Sequence, residues 1–213
     1  MMFKQTIKGL ALVTLIASSS MVLAEGARKA MITPELYSFT VEHDGEPIEV
    51  MRNQNPDNKV HELYNTTFRG MPQPIHPFEP HDVETIGERE FVALMQAAQK
   101  DENILIVDTR TEGWHYRLTI PGSVNVPFTV MKEEESAADA LDDFGVVKNA
   151  DGSYDFAQAK TLAMFCNGYW CGQTPTLIRA LLEKDYPADK MKYYRGGMQA
   201  WTSLGLTTVG DAE

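Results

Sequence analysis

Two short, nearly continuous apolar segments constrain the fold of this chain most strongly. They are "NILIVDTR" (103–110) and "TLAMFC" (161–166), and polar residues flank each of them. A strand that is apolar on both sides has to be buried on both faces, which is typical of parallel sheets covered by helices. Segments with helical periodicity occur at 87–100 and 174–186. This alternation predicts an α/β fold over residues 82–213, with a mostly parallel central sheet and helices on both faces.

Shorter patterns complete the predicted sheet. "VETI" (83–86) and "GSVNVPF" (122–128) are typical of short strands, and "KMKYYRGGMQAWTSLGL" (190–206) predicts a strand, a Gly-Gly turn and a helix around a core tryptophan, Trp201. Thr174 is expected to be the N-cap of the 174–186 helix, with a proline at the first helical position. The acidic segment 131–144 is expected to be a solvated helix or loop, because it lacks the regular oxygen-ligand spacing of a calcium site.

The residues before this region have a different pattern. "LYSFTVEHDGEPIEVM" (36–51) alternates apolar and polar residues on both sides of a turn at Asp44-Gly45, which predicts a β-hairpin. Four prolines within 71–82 predict a stiff, extended connector. Residues 25–81 are therefore predicted to be a β-rich N-terminal extension with a Pro-rich linker.

The first residues have the organisation of a secretory signal peptide. Lys4 and Lys8 precede an apolar run at 9–17, and Val-Leu-Ala at 22–24 offers small residues where a signal peptidase cleaves. The apolar run is shorter than the ~20 residues that span a bilayer. The sequence predicts a signal peptide at 1–24 with cleavage after Ala24, a periplasmic or secreted protein, and no stable membrane insertion after cleavage.

The charge balance excludes some classes of partner. The net charge is −11, and removing Lys4 and Lys8, with no acidic residue before Glu25, leaves −13. Such a chain is repelled by phosphate backbones and by anionic lipid surfaces. Nucleic acids are therefore not expected as partners.

The only two cysteines, Cys166 and Cys171, lie in one short turn. A disulfide between them would close a very small loop, so it would be a poor structural crosslink. Cys166 ends a buried strand, the turn contains Gly168 and Gly172, and a helix follows directly. Inward backbone N–H groups and the helix dipole favour an anion there, so we expect a lowered pKa for Cys166, nucleophilic chemistry, and binding of a small sulfur-donor anion.

Three segments in this order resemble the rhodanese (sulfurtransferase) domain over roughly residues 82–208. They are "ILIVDTRTEGWHYRLTIPGSVNVPF", "FCNGYWCG" and "YYRGGMQAWTSLGL". The resemblance implies that Cys166 is the catalytic nucleophile, which takes a sulfane sulfur as a persulfide and passes it to a thiol or cyanide. It implies no metal or organic cofactor, and a supporting role for Asp108 and Arg110. The implied active loop consists of Asn167, Gly168, Tyr169, Trp170, Cys171 and Gly172.

The loop departs from the family pattern at two positions. Tyr169 stands where glycine is common, and Cys171 stands where a basic residue or threonine is common. Without the basic residue, thiosulfate loses a charge-assisted contact, so polysulfide and persulfide donors stay open. Gly172 replaces the arginine that the related phosphatase loop needs, which argues against phosphatase activity.

Two alternatives remain open for this sequence. In an oxidising compartment, Cys171 could attack an oxidised or persulfidated Cys166, which would make the protein a thiol-disulfide or redox-relay module, with a periplasmic redox protein as partner. The domain could also be a partner-binding module, with the N-terminal extension as an interaction surface or a flap over the loop. Among the histidines only His115 is expected near this edge, and a surface role is favoured for it.

Overall fold

The computed structural model describes residues 29–211, and its centre is a five-stranded sheet in which all neighbouring strands are parallel. The spatial order is β3-β9-β8-β4-β5. The strands are β3 (Glu84–Ile86), β4 (Ile104–Asp108), β5 (Val124–Asn125), β8 (Thr161–Phe165) and β9 (Met191–Tyr194). The α/β class with a parallel central sheet is confirmed. The predicted signal peptide lies outside the described residues.

Five α-helices accompany the sheet in the described part of the chain. They are α1 (Glu88–Ala98), α2 (Glu112–Arg117), α3 (Glu134–Asp143), α4 (Gln173–Leu182) and α5 (Gly197–Ser203). The N-cap of α4 is Gly172, two residues before the expected Thr174, and Pro175 is the third helical residue instead of the first, so this prediction is wrong. The hydroxyl of Thr174 is buried instead, 2.8 Å from the hydroxyl of Thr109. None of these helices combines the length and hydrophobicity that a membrane-spanning segment requires.

The acidic segment is helical, and its helix α3 is only partly solvated. Ala137, Ala140 and Leu141 are buried on one side, whereas the acidic side chains face away from the core. Two short strands, β6 (Val147–Lys148) and β7 (Tyr154–Asp155), form an antiparallel pair after α3.

Alternate residues of the sheet strands pack into two separate hydrophobic clusters. Phe165 and Tyr194 face one cluster with α1 and α5, whereas Met164 and Tyr193 face the other with α3 and α4. This is the side-chain alternation that a strand covered on both faces requires. We call these the α1/α5 face and the α3/α4 face.

The predicted hairpin is present as β1 (Ser38–His43) and β2 (Glu46–Met51), with its turn at Asp44-Gly45. Val41 and Val50 are fully buried and belong to the same cluster as Phe165 and Trp201 on the α1/α5 face. Backbone hydrogen bonds also join β2 to the chain after α5, for example from the N–H of Thr207 to Met51. The hairpin is therefore part of the main hydrophobic core.

Candidate active site

The two cysteines lie in a tight loop at the carboxyl end of β8. Cys166 directly follows the strand, and α4 begins at Gln173, so the loop spans 166–172. The N–H of Cys171 donates to the carbonyl of Gly168 at 2.8 Å, which closes a turn inside the loop. Cys166 Sγ lies 3.6 Å from the carbonyl oxygen of Cys171, and both cysteines are free thiols. Their exposed fractions are 2% and 5%.

Helix α5 holds the first two carbonyl groups of the loop. The N–H of Met198 donates to Cys166 at 2.9 Å, and the N–H of Gln199 donates to Asn167 at 3.0 Å. Gly197 makes this approach possible, because its φ is +52° and a Cβ there would overlap the carbonyl oxygen of Cys166. Among the N–H groups nearby, those of Asn167 and Gln173 interact with the Cys171 side chain, and that of Thr174 interacts with Cys166.

A buried ion pair lies beneath the start of the loop. Arg110 Nε and Nη2 donate to the two oxygens of Asp108 at 2.9 and 2.6 Å, and both side chains are fully buried. Arg110 Nη2 also donates to the carbonyl of Leu118 at 2.6 Å, and Nη1 lies 3.4 Å from Asn167 Oδ1. The predicted supporting residues therefore lie directly against the first loop residue after Cys166.

Tyr64, which lies in the N-terminal extension, is part of this network. Its hydroxyl donates to Asn167 Oδ1 at 2.8 Å and accepts from Arg110 Nη1 at 2.9 Å. Burial raises the pKa of Tyr64 to about 12, so the hydroxyl stays protonated at neutral pH. The sequence analysis missed this residue, because Tyr64 lies in a segment without strand or helix periodicity, 103 positions before its partner Asn167.

His115 also joins the network, so the surface role favoured for it is wrong. Its Nδ1 lies 3.0 Å from Asp108 Oδ2, and only 14% of its side chain is exposed. Thr119 donates to the same carboxylate oxygen at 2.8 Å. Burial opposes ionisation of Asp108, but hydrogen bonds from Arg110 and His115 hold the pKa of this carboxyl below its ordinary value.

The outer side of the loop is covered by residues 69–73, which we call the covering segment. The N–H of Gln73 donates to the carbonyl of Tyr169 at 2.7 Å, and Arg195 donates twice to the carbonyl of Gln73, at 3.0 and 2.7 Å. The Arg195 guanidinium also lies 5.6 Å from the centre of the Tyr169 ring. Part of the predicted linker is thus attached to the loop itself.

Trp170 fixes the middle of the loop on both sides. Its Nε1 donates to Gln199 Oε1 at 2.5 Å, and the guanidinium of Arg69 lies over its ring at 5.1 Å. Tyr169 is 42% exposed, and Gly172 is also at the surface. Of the predicted loop residues, these two face solvent, whereas Cys166, Asn167, Gly168 and Cys171 are buried.

The two thiols have opposite ionisation tendencies. Burial, together with the neighbouring Cys171, raises the pKa of Cys166 well above its ordinary value, so the expected lowering at Cys166 is wrong for the resting loop. A hydrogen bond from Cys166 and backbone N–H groups of Gln173 and Asn167 lower the pKa of Cys171 to about 7, against the effect of burial. The positive charge of Arg110 adds to this lowering. The loop therefore stabilises one thiolate, and places it on Cys171.

Residues 29–211 contain no group of three or more His, Cys, Asp and Glu side chains that could hold a metal ion. The polar groups around the loop are instead hydrogen-bond donors directed at sulfur and at the Asp108 carboxylate. This arrangement suits a thiolate and a small anion.

Comparison with known proteins agrees with this description. Similar solved structures include a protein from Bacillus halodurans (16% identity, TM-score 0.44, 61% of this chain and 78% of that one) and a rhodanese with anions from E. coli (19%, 0.31, 51% and 99%). Another is a thiosulfate sulfurtransferase from Pseudomonas aeruginosa (20%, 0.40, 60% and 20%). No curated protein matches the sequence. The family model of the rhodanese-like domain matches residues 91–204, which contain β4, β8, the cysteine loop and α5. The chain therefore belongs to the rhodanese-like domain family.

Proposed function

We propose that the protein is a sulfurtransferase that carries sulfane sulfur as a persulfide on Cys166. The observation that carries this proposal is the position of Cys166 Sγ. It lies at the end of a buried strand, where the Thr174 hydroxyl and N–H interact with it and where α5 takes up the loop carbonyls. The two Thr174 groups favour negative charge on Cys166 Sγ, against the effect of burial, and no metal ion is needed for this.

The first step is attack of the Cys166 thiolate on the outer sulfur of a donor. Cys171, with a pKa of about 7, is the nearest group that can take the proton of the Cys166 thiol. The sulfur–sulfur bond of the donor breaks, the donor leaves with its electron pair (as sulfite, if the donor is thiosulfate), and Cys166 keeps the sulfane sulfur. A thiol or cyanide then removes this sulfur and returns Cys166 to the thiolate.

The charges around the loop influence the choice of donor. Arg110 is paired with Asp108, which reduces the positive charge that it offers to an incoming anion. Backbone N–H groups are then the main donors to an incoming anion, which weakens the preference for doubly charged thiosulfate. We propose a sulfane-sulfur anion as substrate class, which includes thiosulfate and inorganic polysulfide.

Entry of the donor requires a movement at the site. Cys166 is 2% exposed, and the covering segment is bonded to the loop through Gln73 and Arg195. A small anion can reach Sγ after a local opening, which costs less free energy than global unfolding. Bulkier acceptors need a larger opening.

The proposal is tested by thiocyanate formation from cyanide with thiosulfate or polysulfide as donor. We expect thiocyanate from the reduced wild-type protein and none from Cys166→Ser. A matched control is Tyr186→Phe, which removes a buried hydroxyl that donates to Lys160 at 2.6 Å, away from the loop. Turnover that persists in Cys166→Ser, or no sulfur uptake from either donor by folded wild-type protein, would contradict the proposal.

We also propose that the protein acts outside the cytoplasm, on the basis of the signal-peptide pattern at 1–24. Expression of the full chain in a Gram-negative host should yield a periplasmic protein whose N-terminus is Glu25. An intact N-terminus in the cytoplasmic fraction would contradict export.

A further inference from the structure

The two cysteine side chains are packed against each other inside a closed loop. Cys166 Sγ lies 3.6 Å from the carbonyl oxygen of Cys171, and the two thiols are close enough for each to shift the pKa of the other. The turn closed by the Cys171 N–H and the Gly168 carbonyl brings the two ends of the loop together. A second thiol is therefore within reach of any sulfur atom that Cys166 carries.

This neighbour has an advantage over every external acceptor. Cys166 is 2% exposed beneath the covering segment, so an acceptor from solution must wait for the site to open. Cys171 is already inside, and reaction within one loop replaces a bimolecular step by an intramolecular one. In its thiol form, Cys171 donates a hydrogen bond to Gln173 Oε1 at 3.6 Å.

We propose that Cys171 resolves the Cys166 persulfide by attacking the inner sulfur, which releases the sulfane sulfur as hydrosulfide and leaves a Cys166–Cys171 disulfide. This inference rests on the proposed sulfurtransferase function and extends it. The protein then reduces sulfane sulfur, in addition to carrying it.

The step balances without any further oxidant. Cys171, which took the proton of Cys166 in the first step, passes that proton to the outer sulfur of the persulfide anion and forms a bond to Sγ of Cys166. The bond from that Sγ to the outer sulfur breaks, and the outer sulfur leaves with the electron pair as HS⁻. The sulfane sulfur is reduced, and the two cysteine sulfurs are oxidised to a disulfide. Because Cys171 has a pKa of about 7, a large part of it is thiolate at neutral pH.

The cycle needs a partner that returns the disulfide to two thiols. The chemistry specifies a dithiol reductant of the thiol–disulfide exchange class, which takes up the two oxidising equivalents as its own disulfide. Dithiothreitol is a suitable probe for this partner in vitro.

The test is a single turnover of the full mature protein. The protein is reduced, freed of reductant, and mixed with one equivalent of thiosulfate or inorganic polysulfide. Sulfide, sulfite and intact mass are then followed over time. We expect hydrosulfide equimolar with protein and a final species two hydrogens lighter than the reduced protein, with a Cys166–Cys171 crosslink in the digest. Dithiothreitol should restore the starting mass and allow a second release.

The cysteine variant provides the second readout. In Cys171→Ser, the persulfide that forms should persist, with the mass of one additional sulfur, and sulfide release should fall to the background without added thiol. If this variant does not fold, sulfide release and intact mass of the wild-type protein still decide the proposal.

The possible failures are distinguishable. Wild-type protein that retains a cyanide-removable sulfur and releases no sulfide would overturn the resolving role of Cys171 and leave the sulfurtransferase proposal standing. Wild-type protein that takes up no sulfur from either donor would overturn both. A sulfur that appears on Cys171, without a disulfide, would overturn attack on the inner sulfur in favour of a relay.

Discussion

The two faces of the central sheet are completed by different parts of the chain. On the α3/α4 face, α3 and α4 pack on the strands, and the cluster is almost wholly apolar. On the α1/α5 face, the β1–β2 hairpin and Tyr64 join α1 and α5, and this face also holds the buried Asp108–Arg110 pair. The buried ion pair and the N-terminal extension therefore support the cysteine loop on one face, and helix packing supports it on the other.

This difference shows that the family-matched segment is not a complete packing unit in this protein. Val41, Val50 and Tyr64 lie outside residues 91–204, yet each is buried in the core that this segment forms. Tyr64 also contacts the loop directly through Asn167. An extension that lay only on the surface could be substituted without affecting the thiols. Substitutions in this extension, in contrast, should affect them.

The largest effect is expected from breaking the buried ion pair. Arg110→Met leaves the Asp108 carboxylate buried and uncompensated, which should lower the free energy of unfolding by about 3–5 kcal/mol. The matched control is Lys192→Met, which breaks the partly exposed pair with Glu84 (2.9 Å) and should cost about 0–1 kcal/mol. Denaturant unfolding measures both, and equal losses would show that the buried pair stabilises the α1/α5 face no more than a partly exposed pair does.

The next effect is a pH dependence that comes from Cys171. Its folded pKa of about 7 is below its ordinary value of 9.0, so its contribution to stability is complete above about pH 9 and is lost as the pH falls through about 7. The stability of wild-type protein relative to Cys171→Ser should therefore rise from pH 7 to pH 9, by on the order of 1–3 kcal/mol. The raised pKa of Cys166 has the opposite effect on stability, but only at pH values above the ordinary pKa of a cysteine thiol. A flat difference, measured by urea unfolding of reduced protein, would argue that the loop does not stabilise the Cys171 thiolate.

A smaller effect is expected when either of two buried tyrosine hydroxyls is removed, and it should differ between the two positions. Tyr64→Phe and Tyr186→Phe should each lower the free energy of unfolding by about 1–2 kcal/mol, because each leaves a buried partner unsatisfied. Of the two tyrosines, only Tyr64 donates a hydrogen bond to the side chain of Asn167 in the active loop. Tyr64→Phe alone should therefore also change the alkylation rate of the reduced thiols, severalfold. If both variants leave the thiol reactivity unchanged, the extension does not position the loop.

The smallest effect concerns two arginines that hold the Pro-rich segment. Arg195 bonds to the carbonyl of Gln73 beside the loop, whereas Arg179 bonds to the carbonyl of Pro77 at 3.2 Å, away from it. Arg195→Gln should raise the alkylation rate of the thiols by about 2- to 10-fold, because losing a net contribution of ~0.5–1.5 kcal/mol favours opening. Arg179→Gln serves as the control and should leave that rate near the wild-type value. Equal rates in Arg195→Gln and wild-type protein would show that the covering segment does not limit access.

The local features of the fold could be predicted from sequence, and the long-range ones could not. The apolar strands, the hairpin turn at Asp44-Gly45 and the position of the cysteine loop follow from patterns within a few residues. The contact of Tyr64 with Asn167 and the burial of His115 depend on packing between distant segments, for which the local pattern gives no signal. The raised pKa of Cys166 could not be predicted either, because its burial and the effect of the neighbouring thiol arise only in the folded loop.

Cys166 should receive sulfur before Cys171 reacts, and peptide mass measurement after rapid quenching follows this order of events. Reduced wild-type protein is mixed with thiosulfate or polysulfide, quenched in acid at successive times and digested. In the peptide that contains both cysteines, we expect the earliest product to carry one additional sulfur on Cys166. Cyanide should remove this sulfur, and without cyanide the peptide should become two hydrogens lighter as the Cys166–Cys171 disulfide forms. Sulfur that arrives first on Cys171, or a disulfide that forms without any earlier sulfur adduct, would contradict this order of events.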